Sequence, residues 1–107
     1  MLTQLRSSVR VSGCHRTDVN GWMRLHLEGT PFEIGYGHGF LMANEVLEAL
    51  RLSKAYAKHV YERPWSFFRR SADELYLPKI PQDQNDEMKG IVNGIRTVSY
   101  THLRAHE

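Results

Sequence analysis

The sequence lacks most of the features that mark small functional domains. It has one cysteine, Cys14, among 107 residues. That excludes an internal disulfide framework and any zinc site built from several thiolates. No apolar run approaches the roughly 20 residues that span a bilayer. The stretch from Met1 to Gly21 carries Arg6, Arg10 and Arg16 but no apolar h-region, so it does not read as a secretory signal. Charge of neither sign dominates: 14 Lys and Arg stand against 12 Asp and Glu, a formal net charge of +2. A balance so near neutral gives no reason to expect a nucleic-acid partner. Internal repeats and low-complexity tracts are absent from the sequence, and nothing in it fixes a localisation.

What is there reads as α+β: an N-terminal β-hairpin followed by three helices. Residues 1–7 carry no periodic signal and are expected to be poorly ordered. Ser8 to His15 reads as a strand, with Val9 and Val11 alternating with Arg10 and Ser12. Asp18-Val19-Asn20-Gly21 reads as the turn, because Asn-Gly tolerates the positive φ that tight hairpins need. Trp22 to Leu27 alternates again, placing Trp22, Arg24 and His26 on one face and Met23, Leu25 and Leu27 on the other.

Gly29-Thr30-Pro31-Phe32-Glu33 is the sharpest local signal. Thr30 is a natural N-cap, Pro31 suits the first helical position, and Glu33 completes a capping box. A helix is expected from Pro31 to about Tyr61, with Tyr36, Phe40, Ala43, Leu47 and Leu50 on its apolar stripe. Glu45, Glu48, Arg51, Lys54 and Lys58 form a solvated face, and Glu48 is placed to pair with Arg51. Pro64 ends this helix. A second helix fits Trp65 to Leu75, and Leu77-Pro78-Lys79-Ile80-Pro81 interrupts it. A third fits Gln82 to Ile95, with Met88, Ile91, Val92 and Ile95 on one face. Gly90 and Gly94 each weaken that helix by about 1 kcal/mol relative to Ala.

The ten residues from Val98 to Glu107 resemble one translated reading frame of a transposon-type sequencing adapter, and Thr97 is grouped with them. Residues 97–107 are therefore expected to be non-native, with the natural segment covering residues 8–96. His102 and His106 stand at i, i+4, a metal-ligand spacing on a helix. Because both fall in this tail, no metal site is assigned to them.

The glycines at positions 35, 37 and 39 follow the helix cap. Gly35 and Gly39, four apart, lie on one helix face, where the missing side chains let another backbone approach, as in a helix laid on a sheet. Phe32 and Tyr36 are expected to supply buried bulk beside them. A phosphate-binding reading fails because the glycines are not in the loop before the helix and no Lys-Ser/Thr follows. His38, with no carboxylate at a fixed local offset, reads as a histidine near the helix start bonded into the core. Cys14 sits mid-strand and is not read as a nucleophile.

The run Gly29-Thr30-Pro31-Phe32-Glu33-Ile34-Gly35-Tyr36-Gly37-His38-Gly39 resembles the opening motif of the acyl-coenzyme A:6-aminopenicillanic acid acyltransferase family of N-terminal-nucleophile hydrolases. Asp18 to Trp22, Pro64 to Phe68 and Glu87 to Gly94 resemble its phospholipase B-like bacterial branch, where glutamine is often found at the position of Gly37. The resemblance implies an incomplete piece of a four-layer αββα sandwich. It implies an autoproteolytic enzyme whose nucleophile is a cysteine lying beyond this segment, and no metal or cofactor. Gly29, Thr30, Pro31, Glu33, Gly35, Tyr36, His38 and Gly39 would be structural motif residues, with no catalytic residue in hand. The partners implied are the remainder of the same chain and a small acyl substrate, without nucleic acid or a membrane span. The competing readings are a free-standing helical binding module and an assembly product without function.

Overall fold

The computed structural model describes the backbone of residues 6–105 and the side chains of residues 8–99. Most of the expected N-terminal stretch 1–7 lies outside these residues, as does His106.

The fold is mixed α+β: a three-stranded antiparallel sheet followed by four helices. Strands β1 (Arg6–Val11), β2 (Cys14–Val19) and β3 (Trp22–His26) form a meander in the order β1-β2-β3. The expected single hairpin is thus corrected to two. Ser12-Gly13 is itself a turn, and Ser12 takes φ 51°. It brings Val11 opposite Cys14. The Val9-Val11 alternation runs smoothly into this Ser-Gly pair, so periodicity alone passes over it. The second turn is tighter than expected. Asn20 and Gly21 alone form it, at φ 52° and 85°, while Asp18 and Val19 belong to β2.

Helix α1 (Pro31–Leu41) starts at the expected residue, with Thr30 as cap and the full capping box. The long helix expected to Tyr61 is broken. At Met42 the backbone turns to φ −117°, ψ 23°, and α2 (Ala43–Tyr61) leaves in a new direction. Hydrogen bonds from Met42 N to the His38 carbonyl and from Val46 N to the Met42 carbonyl keep the junction a kink rather than a loop. Neither Gly nor Pro stands there. α2 ends at Glu62 in the left-handed region, φ 54°. Pro64 then caps α3 (Trp65–Ser71), which is shorter than expected and continues as a π turn (Ala72–Tyr76) and a 3₁₀ turn (Leu77–Lys79). Finally α4 (Gln82–Ala105) runs past Ile95, because no Gly or Pro follows Gly94 to stop it. Four helices therefore replace the expected three.

The core is thin. Among the described residues the buried hydrophobic side chains are Cys14, Leu41, Ala43 and Ala57. The apolar stripe from Tyr36 to Leu50 does not survive the kink, and Leu47 and Leu50 are exposed. The accessible surface is 8744 Å², against about 6,100 Å² expected for a folded monomer of this mass. The radius of gyration is 16.6 Å, against about 13 Å for a compact domain of this length. Among the described residues no helix is long and apolar enough to cross a membrane.

Candidate functional site

The motif residues converge on α1, which is held between α4 on one side and the sheet on the other. Its start is fixed by reciprocal bonds. Glu33 N donates to Thr30 Oγ1 at 3.2 Å, and Thr30 N donates to Glu33 Oε1 at 3.0 Å. The bond from the Thr30 backbone holds the Glu33 carboxyl below the usual range. Gly29 takes φ 131°, a conformation open to glycine, and a Cβ there would meet Glu33 Cβ at 2.9 Å.

On one side of α1, Gly35 and Gly39 face α4, whose own glycines are Gly90 and Gly94. A Cβ on Gly35 would stand 2.7 Å from the carbonyl carbon of Glu87, and one on Gly39 would stand 2.8 Å from that of Ile91. The relation is reciprocal: a Cβ on Gly90 would lie 2.7 Å from Tyr36 N, and one on Gly94 would lie 2.6 Å from Phe40 N. The contacts advance together along both helices, so α1 and α4 run in the same direction. The close backbone approach expected of Gly35 and Gly39 is therefore present, but the neighbour is a helix, not the sheet. Gly90 and Gly94, which weaken α4 in isolation, are what allow it. The apolar face expected of α4 is corrected accordingly: Met88 and Val92 are exposed, and the glycines form the buried contact.

Gly37 is the motif glycine that meets the sheet. A Cβ there would fall 2.5 Å from Cys14 Sγ and 2.7 Å from Cys14 Cβ. The sheet face under α1 carries Val9, Arg16 and Leu25 in one cross-strand row and Val11 and Cys14 in the next. Cys14 is 1% exposed, and its sulfur accepts from Glu28 N at 3.4 Å and donates to Glu28 O at 3.6 Å. It pins the connection between β3 and α1, in surroundings that do not expose a reactive thiolate. Cys14 opens β2 rather than sitting mid-strand.

Tyr36 is half-buried; its hydroxyl donates to Thr97 Oγ1 at 3.2 Å, and Thr97 Oγ1 donates to the Asn93 carbonyl at 2.9 Å. Phe32, expected as buried bulk, is exposed. His38 is half-buried in the last turn of α1, not near its start, because the helix ends at Leu41. Among the described residues its side chain has no hydrogen bond to the core, contrary to expectation.

Sequence reasoning missed Arg16. Its guanidinium grips Asp18 at 2.7 and 3.0 Å and Glu45 at 2.7 and 3.4 Å, and it donates to the Leu41 carbonyl at 2.8 Å. Arg16 thus ties β2 to the end of α1 and the first turn of α2, at the kink. These bonds hold the Asp18 and Glu45 carboxyls below their usual range and raise the guanidinium further. Its position on the inner face, alternating with Cys14, was the one signal available in the sequence. Among the described residues no group of three or more His, Cys, Asp or Glu could hold a metal ion.

No protein-family model matches the chain, and no solved structure matches it. It is similar to an uncharacterized protein of Archaeoglobus fulgidus, with 32% identity over 93 residues covering 76% of this chain and 15% of that protein. The chain thus spans about 15% of the length of the curated relative it matches.

Proposed function

We propose that this chain is the scaffold-forming N-terminal segment of a larger autoproteolytic acyltransferase or amidohydrolase of the N-terminal-nucleophile class. The observation that carries the reading is the reciprocal glycine contact between α1 and α4. The motif that resembles the family's opening is engaged in it at Gly35 and Gly39, and in the capped start of the helix at Thr30 and Glu33. Those residues build a platform and leave no reactive group pointing at a common centre. The small share of the relative's length and the exposed apolar side chains of α2 and α3 support a segment that more chain would cover.

On this reading the chemistry belongs to a cysteine beyond the segment, freed by cleavage of the bond before it. Its α-amino group, with an ordinary pKa of about 8, takes the thiol proton. The sulfur attacks an amide, ester or thioester carbonyl, the leaving group departs with a proton, and water or an amine then takes the acyl group. A binding module remains the second reading, favoured by exposed Leu52, Tyr56, Val60 and Phe67 along α2 and α3. Sequencing the locus across codon 97 separates the two. The enzyme reading expects an open frame running on to a cysteine codon; an immediate stop would overturn it.

A further inference from the structure

The sheet has a second face, turned away from α1, on which the register aligns Arg10, His15 and His26 in one cross-strand row, Thr17 and Arg24 in the next, and Val19 and Trp22 in a third. The His15 and His26 rings stack at 4.9 Å, with 16° between their planes. Trp22 is 80% exposed. His15, Thr17, Val19, Trp22 and Arg24 line an open groove of about 520 Å³.

We propose that this face binds a nucleotide, free or within a single strand, with the base on the Trp22 ring and the phosphate between Arg24 and His15, flanked by Arg10. Trp22 and Arg24 are two residues apart on β3, about 7 Å along the strand, a gap the sugar spans. A flat, solvated indole beside cationic side chains on a sheet surface is the arrangement that stacks bases and tracks phosphates. The net charge of +2 conceals this face because the charges are segregated. Asp18 turns to the opposite face and is held by Arg16, and Glu28, beside the row, is bonded to His26 at 3.1 Å. Partial burial, then Arg10, His26 and Arg24, keep the His15 ring below its ordinary pKa. A bound phosphate reverses that bias by favouring the charged ring. The inference is independent of the acyl-transfer reading, since the residues it uses lie outside the run from Gly29 to Gly39.

Calorimetry on the 107-residue chain tests it, with thymidine monophosphate, oligothymidylate, inorganic phosphate and a poly-glutamate peptide as probes. Both nucleotide probes should bind, more tightly than inorganic phosphate or the peptide, and the His15 ring protons should titrate at higher pH in their presence. Affinity for the strand well above that for the monophosphate, falling steeply with salt, assigns a strand; equal affinity assigns the free nucleotide. Trp22→Ala should weaken nucleotide binding about tenfold, Trp22→Phe should largely preserve it, and Arg10→Ala with Arg24→Ala should abolish it without changing the far-ultraviolet spectrum. Absence of nucleotide binding, or equal binding of inorganic phosphate or the peptide, would overturn the proposal. So would an unshifted His15 titration.

Discussion

Gly37 lies directly over Cys14, so close that a Cβ on the glycine would stand 2.5 Å from the sulfur and 2.7 Å from the cysteine's own Cβ. Gly37→Ala should therefore cost about 1–3 kcal/mol, the range for an overpacked core. Cys14→Ala should rescue it only in part, because removing the sulfur leaves the cysteine's Cβ in place, 2.7 Å from the new methyl. Gly94→Ala should cost at least as much. Its new methyl meets the backbone at Phe40 N, 2.6 Å away, and no rotamer change relieves that. Amide exchange in α1 reads both, and protection unchanged from the parent chain would contradict the packing described.

The start of α1 should respond to both mutation and acid. Thr30→Ala removes the side-chain acceptor for Glu33 N and should cost about 1 kcal/mol. The pH effect follows from the depressed Glu33 pKa. Its carboxylate contributes fully above the unfolded glutamate value and loses that contribution as pH falls through the folded value. Protection factors at the first turn of α1, taken relative to the intrinsic exchange rate at each pH, should therefore fall on acidification in the parent chain and fall less in a Glu33→Gln variant.

Arg16 joins three elements, so its loss should be felt at the kink rather than along the sheet. Arg16→Met should destabilise the junction by about 1–3 kcal/mol, leaving the Leu41 carbonyl and two carboxylates without their donor. Arg16→Lys should recover only part, since an ammonium cannot reach both carboxylates as a planar fork does. Asp18 and Glu45 both have depressed pKa values in the folded chain, so this linkage too is present at neutral pH and lost as pH falls through them. Distances across Met42 from paramagnetic labels on β2 and α2 check it. An α2 orientation indifferent to both substitutions and to acid would contradict the role given to Arg16.

The apolar surface left uncovered should govern solution behaviour. Leu52, Tyr56, Val60, Tyr61, Phe67 and Leu75 are all exposed on or after α2. The isolated chain should self-associate or bind a hydrophobic dye, with a broad thermal transition. Light scattering showing a monomer, together with a sharp cooperative melt, would contradict this.

Local signals were the legible part of the fold. Thr30, Pro31 and Glu33 announce a helix start through bonds that close within four residues, and Asn20-Gly21 announces a turn through its own backbone preference. The kink at Met42 is not legible in the sequence, because the side chain bonded across it is Arg16, far away in sequence on β2. The α1–α4 contact was half legible. Gly35 and Gly39 point to a close backbone neighbour, but in the sequence the four-residue spacing of Gly90 and Gly94 signals only a weakness of one helix, and the matching half of the pair emerges from the packing. The outer sheet face shows the opposite failure: summed charge conceals a segregation that only the register of three strands reveals.

The central claim is that this platform belongs to an enzyme that cuts its own chain. The most direct measurement is the intact mass of the product expressed from the natural locus, read on past codon 96 in place of the adapter-like tail, beside a variant with the candidate cysteine changed to alanine. The account predicts two chains from the parent, the second beginning with that cysteine, and one uncut chain from the variant. A single uncut chain from a folded, extended parent would contradict it.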